Sequence, residues 1–439
     1  MFKKVFPLSA ILSLRFLGLF LVLPVISIFA LDLEGSTPLL VGVVVGGYAL
    51  TQAIFQVPFG TMSDKIGRKP TILVGLLIFL VGSIICAYST DIYTLMLGRF
   101  LQGAGAIGSV ITAMISDLVE EEIRGKAMAI MGGSIAMSFA LAMGLGPVLG
   151  ASYGVETLFL ITGGLTVLAI VILFTKVPTP PRIKHIYHGK VTTRDILKDS
   201  NLLNMIIINA MQKGLMTMAF VLIPIILTSD AFAWEKSDLY MAYLPAMVLG
   251  LIAMGPAAVF GEKYNRPKEI FLVSIVFFIA SFLIMGLTNS SIVFIVGVAL
   301  FFIAFNMMEP LVQSMITKFA KVHQKGAALG ISNSVAYFST FLGGTFAGLM
   351  LDISDRESIG IAVAVITTIW LLWTLRLTNP TKYSHLYLPQ SDVNIAKITA
   401  LENDNIAEWY INETENIVVV KYVKDAIEES DLKSKIVAG

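Results

Sequence analysis

The chain is poor in the side chains that most often carry chemistry: it holds one cysteine, Cys86, and four histidines. One thiol excludes an intrachain disulfide and a cysteine-based metal site. His185, His188, His323 and His385 all fall outside the long apolar runs, which excludes imidazole as a proton carrier inside a membrane. Charge is scarce as well. Asp, Glu, Lys and Arg make up 14% of the 439 residues, against about a quarter in soluble domains. The net charge of +1 gives no reason to expect a nucleic-acid partner. There is no nucleotide-binding loop and no catalytic constellation, so neither an enzyme nor ATP-driven work is expected, and no cofactor or metal.

What the chain has instead is apolar length. Hydrophobic residues make up 56% and the mean hydropathy is +0.82. A spanning helix needs about 20 mostly apolar residues. Twelve such runs can be read, at roughly 5–31, 37–62, 71–89, 92–117, 126–152, 155–177, 202–228, 236–259, 268–287, 292–317, 326–350 and 357–376. The first reads as a span rather than a secretory leader, because it is long enough to cross and Arg15 interrupts it. Loop charge sets the expected orientation. Of the 31 Lys and Arg, three lie inside runs, five lie in the tail beyond 382, and Lys236 and Arg356 lie in loops on one side; the other 21 fall on the opposite side. That asymmetry predicts cytoplasmic N- and C-termini.

The longest loop on the basic side follows the sixth run and opens with Pro178, Pro180 and Pro181. It divides the chain into a six-helix bundle at 1–177, a cytoplasmic linker at 178–200 and a second six-helix bundle at 201–381, the pattern of a duplicated repeat. Asp64 and Arg68 after the second run are echoed by Glu262 and Arg266 after the eighth, and Asn265 stands where Gly67 stands. Residues 382–439 change character. Strand-like 383–388, a helix near 392–402, a hairpin at 406–423 and a closing helix at 428–437 suggest a small ferredoxin-like domain, without the paired cysteines of a metal carrier.

Four full charges lie well inside runs, away from their ends: Arg15, Arg99, Lys213 and Glu309, in the first, fourth, seventh and tenth. An unpaired charge in hydrocarbon costs at least ~2.5–3.5 kcal/mol, so these four are expected to face one shared wet chamber. Glu309 is the one deep carboxylate and a candidate proton carrier; a structural ion pair with Lys213 or Arg15 is the competing reading. Asn306, one turn earlier, is expected as its hydrogen-bonding neighbour. The net +2 of the four disfavours a permanently cationic substrate.

Three motifs carry the remaining signal. Gly60-Thr61-Met62-Ser63-Asp64-Lys65-Ile66-Gly67-Arg68-Lys69 is a short charged turn between two runs. Arg99-Phe100-Leu101-Gln102-Gly103-Ala104-Gly105 lies in the fourth run, and Gly146-Pro147-Val148-Leu149-Gly150 in the fifth, where Pro147 forces a bend. Read as G-x-x-x-D-x-x-G-R-K, R-x-x-Q-G-x-G and G-P-x-x-G, they resemble the signature loop, the proton-coupling motif and the antiporter motif of the major facilitator superfamily. Within it the likeness is to the YajR-type drug/proton antiporters, through Leu14 to Pro24, the 60–70 loop, the fourth run, Phe301 to Glu309 and the appended tail. The resemblance implies an all-α polytopic fold of twelve transmembrane helices with a small C-terminal α+β domain. It also implies proton-coupled efflux of small, mostly hydrophobic compounds by alternating access, from a monomer whose partners are the lipid bilayer, protons and the substrate.

In that scheme Asp64 is expected to cap the start of the eleventh run when the cytoplasmic side shuts, with Arg68 paired to Asp117. The rival functions are a proton-linked carrier of a specific, possibly anionic, metabolite, and a membrane sensor signalling through the tail.

Overall fold

The computed structural model describes residues 2–178, 193–320, 324–380, 383–394, 397–398, 406–412, 415–423 and 426–437. Most of the 178–200 linker, and most of the helix expected near 392–402, fall outside these. A first helix group comprises α1 (Phe2–Leu21), α2 (Ile26–Leu31), α3 (Pro38–Ile66), α4 (Arg68–Ala87), α5 (Ile92–Ala104), α6 (Gly108–Leu118), α7 (Glu121–Tyr153) and α8 (Val155–Thr175). After the short α9 (Thr193–Lys198), a second group comprises α10 (Ser200–Thr228), α11 (Leu239–Ala258), α12 (Pro267–Leu287), α13 (Ser291–Phe319), α14 (Lys325–Ile353) and α15 (Arg356–Thr374).

Among the described residues, eleven helices are long and apolar enough to cross a membrane, counting α5 and α6 as one. The first run departs from an unbroken span. Its apolar helix, Val5–Leu21, is shorter, and a turn at Val22–Val25 separates it from α2. Pro24 sits in that turn and lacks the N–H a continuous helix would need there. The fourth run is broken too, between Ala104 and Gly108. Capping is local and legible. Thr37 accepts from Leu40 N at the start of α3, and Asp199 from Asn201 N and Leu202 N at the start of α10. Asp91 accepts from Tyr93 N, Thr94 N and the Thr94 hydroxyl; these bonds hold its carboxyl below the ordinary range.

The two groups meet along α3 and α14. A Cβ on Gly46 would lie 2.8 Å from Phe341 Cα, and one on Gly348 3.0 Å from Leu39 Cα; Gly42 and Gly344 face each other backbone to backbone. Small residues let the helices approach this closely. All of these positions lie toward the face opposite the basic loops. That face is also tied by Lys236–Asp32 at 2.5 Å, by Leu39 N donating to Asp352, and by the Ser27 hydroxyl donating to the Phe220 carbonyl. Toward the basic face the same helices diverge. Among the described residues, nothing lies within 4 Å of an added Cβ on Gly60 of α3 or on Gly326 and Gly330 of α14. Between the described helices the two groups close at one face and open at the other.

The tail forms a three-stranded antiparallel sheet in the order β1 (Tyr383–Pro389), β3 (Ile417–Val423), β2 (Ile406–Asn412), followed by α16 (Glu429–Ile436). Leu386, Leu388, Val418, Val420, Leu432 and Ile436 make its core. The hairpin read from the sequence is the β2–β3 pair, with Asn416 in the left-handed region (φ 52°) at the turn. The tail reaches the basic face, where Glu415 lies 3.6 Å from Arg124 of α7. Burial, then the field of Lys325, push the Lys421 ammonium below its ordinary value, while Glu408 opposes them.

Candidate functional site

Glu309 and Lys213 form a two-oxygen ion pair across α13 and α10, with Lys213 Nζ 2.9 Å from Oε1 and 2.8 Å from Oε2. Their side chains remain 38% and 24% exposed, so the pair is reachable by water or a ligand. Glu309 is ten residues from the end of α13, about 15 Å at the helical rise. The neighbour is not the expected one. Asn306 donates to the Phe302 carbonyl one turn back on its own helix and turns its amide toward α11, contacting Met247 Sδ beside Gly250. Three residues of helix rotate it off the Glu309 face. The hydrogen-bond partner is Gln212, whose Nε2 donates to Glu309 Oε2 at 3.0 Å and to Phe305 O. The signal for it was adjacency to Lys213, which places both side chains on the α13 side of α10.

The expected single chamber resolves into two sites. Arg15 and Arg99 are fully buried, and among the described residues no carboxylate pairs with either. Arg99 donates to the Val44 and Val45 carbonyls of α3 and, at 2.8 Å, to Gln102 Oε1, with its guanidinium 4.7 Å from the Tyr48 ring centre. Gln102 Nε2 passes the chain on to the Ser83 hydroxyl. Arg15 lies over the Phe79 ring at 5.0 Å. Its Nη2 reaches Gln52 Oε1 at 3.3 Å and the Gln102 carbonyl at 3.4 Å, while Nε and Nη1 have no acceptor. The burial that separates the two sites comes from packing around α1 and α5, which residue spacing alone does not encode.

The charged loop folds as a three-way cluster. Gly67 sits at φ 102° between α3 and α4. Arg68 Nε donates to Asp117 Oδ2 at 2.9 Å, as expected, and its Nη1 donates at 2.6 Å to both the Ser63 hydroxyl and Asp64. Asp64 does not cap α14. Asp64 turns back to Arg68 instead, and among the described residues nothing lies within 4 Å of an added Cβ on Gly60. In the second group the echo is rewired. Glu262 pairs with Lys318 and the Ser314 hydroxyl of α13 rather than with Arg266. The same two places, the foot of one helix and the end of another, are joined with the charges exchanged. Asn265 takes the Gly67 position at φ 57°, a conformation Asn tolerates better than most residues.

In α7 the glycines serve close packing. Gly146 lies against the Leu21 carbonyl, with Pro24 Cγ 3.5 Å from an added Cβ, and Gly150 faces Val25 Cγ2 at 3.2 Å. Gly146 and Gly150 therefore seat the broken turn of the first run, one on either side of Pro147. Across the groups, Phe139 of α7 meets Phe305 and Phe220 with ring centres 5.8 and 6.2 Å apart.

The profile of the Major Facilitator Superfamily matches residues 8–261 and, overlapping, 205–417. The chain belongs to the Major Facilitator Superfamily. It is 33% identical over 425 residues to the inner membrane transport protein YajR of Escherichia coli strain K12, covering 94% of this chain and 92% of that one. It is 27% identical to the quinolone resistance protein NorA of Staphylococcus aureus strain MSSA476, over 83% and 94% of the two chains. The solved structure of a D-xylose–proton symporter superposes with a TM-score of 0.70 at 14% identity, over 85% of this chain and 98% of that one. As a member of the superfamily, the chain is a multi-pass membrane transporter and not an enzyme.

Proposed function

We propose that the protein exports small, mostly hydrophobic compounds in exchange for protons, by alternating access between two six-helix bundles at 1–177 and 201–381 joined by the 178–200 linker. The reading counts twelve spans, with the broken first run as one of them. The basic face, with both termini, is the cytoplasmic side of a bacterial inner membrane, the transporter works as a monomer, and 382–439 is a ferredoxin-like accessory domain. The observation that carries this reading is the part-exposed Glu309–Lys213 pair with Gln212 against the carboxylate. A proton on Glu309 breaks that pair, and a proton bound more tightly in one conformation than in the other biases the equilibrium by that difference. The kinship with a quinolone resistance protein, the superfamily's G-P-x-x-G motif at Gly146–Gly150 and the Arg68–Asp117–Asp64 cluster, placed to rearrange when the open face shuts, support export.

The test is transport of a panel of lipophilic compounds in proteoliposomes under an imposed pH gradient. Gradient-driven movement is expected with the native chain and is expected to be lost in Glu309→Gln. Movement that ignores the gradient, or that survives this change, removes Glu309 as the carrier.

A further inference from the structure

The two buried arginines are not equivalent. Every guanidinium nitrogen of Arg99 donates to an acceptor in the protein, so its charge is spread over carbonyl dipoles and its role is met by packing. Arg15 is equally buried, yet among the described residues two of its three nitrogens have no acceptor and the third makes two long bonds. Leaving buried donors unmade costs about 1–3 kcal/mol each, more for a charged group. A purely structural arginine would be selected into a site like that of Arg99. Lys213 is already matched by Glu309, which leaves Arg15 as the cation with neither a counter-charge nor a full set of acceptors.

Resting on the transport reading above, we propose that Arg15, Gln52 and Tyr337 form the receptor for a single oxyanion on the exported compound, so that the substrates are apolar molecules bearing one carboxylate or sulfonate. Tyr337, which belongs to α14 of the other group, lies beside Gln52 and Arg15. That approach crosses the interface that moves in alternating access, so relative motion of the groups uncovers the guanidinium. The apolar part of the ligand has a surface ready beside it. Phe16 and Phe20, partly buried on the same helix, stack at 5.3 Å, and Phe20 meets Phe139 edge-on at 5.0 Å. The neutral Gln52 is the position where an internal counter-charge would close the site.

The experiment measures equilibrium binding of naphthalene-1-carboxylate and of its uncharged methyl ester to the purified full chain at pH 7, with no proton gradient. The native chain is expected to prefer the acid at least tenfold, and Arg15→Gln to lose that preference while keeping its affinity for the ester. Gln52→Glu, which supplies the missing anion from within, is expected to raise the unfolding temperature and abolish the acid preference; it decides the matter if Arg15→Gln fails to fold. Equal binding of acid and ester by the native chain, or an acid preference that survives in Arg15→Gln or Gln52→Glu, overturns the proposal. Because no gradient is applied, that failure leaves proton coupling through Glu309 untouched, and loss of gradient-driven transport leaves the binding result standing.

Discussion

In the first helix group Arg15 and Arg99 are sealed from solvent without a carboxylate, whereas in the second Lys213 and Glu309 neutralise each other at 2.8 Å and stay part-exposed. The loops at the basic face differ in a parallel way. Arg68 is shared among Asp117, Asp64 and Ser63, while Glu262 answers Lys318 and Ser314 with the signs exchanged. The two groups therefore tie charge at matching places and differ in which charge sits there. In the first group the charge organises packing and, at Arg15, leaves donors open; in the second it is paired and part-exposed.

The comparison breaks most readily at the exposed pair. Lys213→Met leaves Glu309 unmatched and is expected to lower gradient-driven transport at least tenfold. The cost to thermal stability is expected to stay small, because a part-exposed ion pair contributes only about 0–1 kcal/mol. Unfolding comparable to the transport loss would make the pair structural. Arg99→Met should show the reverse order of effects. It removes three hydrogen bonds and strands Gln102 Oε1, so a loss of about 1–3 kcal/mol in unfolding free energy is expected, visible as a lowered midpoint in detergent.

The loop clusters give a smaller contrast. Exchanging Glu262 and Lys318 is expected to be tolerated within about 0.5 kcal/mol, since the pair has few other obligations. Exchanging Arg68 and Asp117 is expected to fail, because Ser63 and Asp64 are positioned for a guanidinium. Equal tolerance of both exchanges would erase the difference between the groups. The smallest effect concerns the tail. Lys421 is held below its ordinary value, so the unfolded tail binds more protons than the folded one just below pH 10.5. Tail stability should therefore rise with pH in that window, and Lys421→Met should flatten the rise in a tail-proteolysis assay.

The fold was legible in the sequence because hydrocarbon imposes a length and a polarity on every helix that crosses it. Run length alone located the helices to within a few residues, but not the breaks after Leu21 and Ala104, which divide the first and fourth runs. The Arg68–Asp117 pair was legible because both residues stand at helix ends on the same, basic face. The Asn306 reading failed for a geometric reason: a residue three positions away on a helix shares a side but need not share a neighbour, and Met247 and Gly250 of α11 claimed it. Gln212 could have been found only as the residue next to Lys213.

The residue order by itself determined that the chain crosses a membrane many times, which loops share a face, and which four helices carry charge. Periodicity and desolvation cost act locally, and they need no knowledge of neighbours. Only the tertiary structure decided that Arg15 and Arg99 are enclosed while Glu309 and Lys213 are reachable, that Asp64 faces Arg68 while the basic face stands open, and that α3 and α14 touch backbone to backbone at the other. Those outcomes depend on how helices far apart in sequence rotate against one another, and that rotation is set by glycines and aromatic rings packing across the two groups.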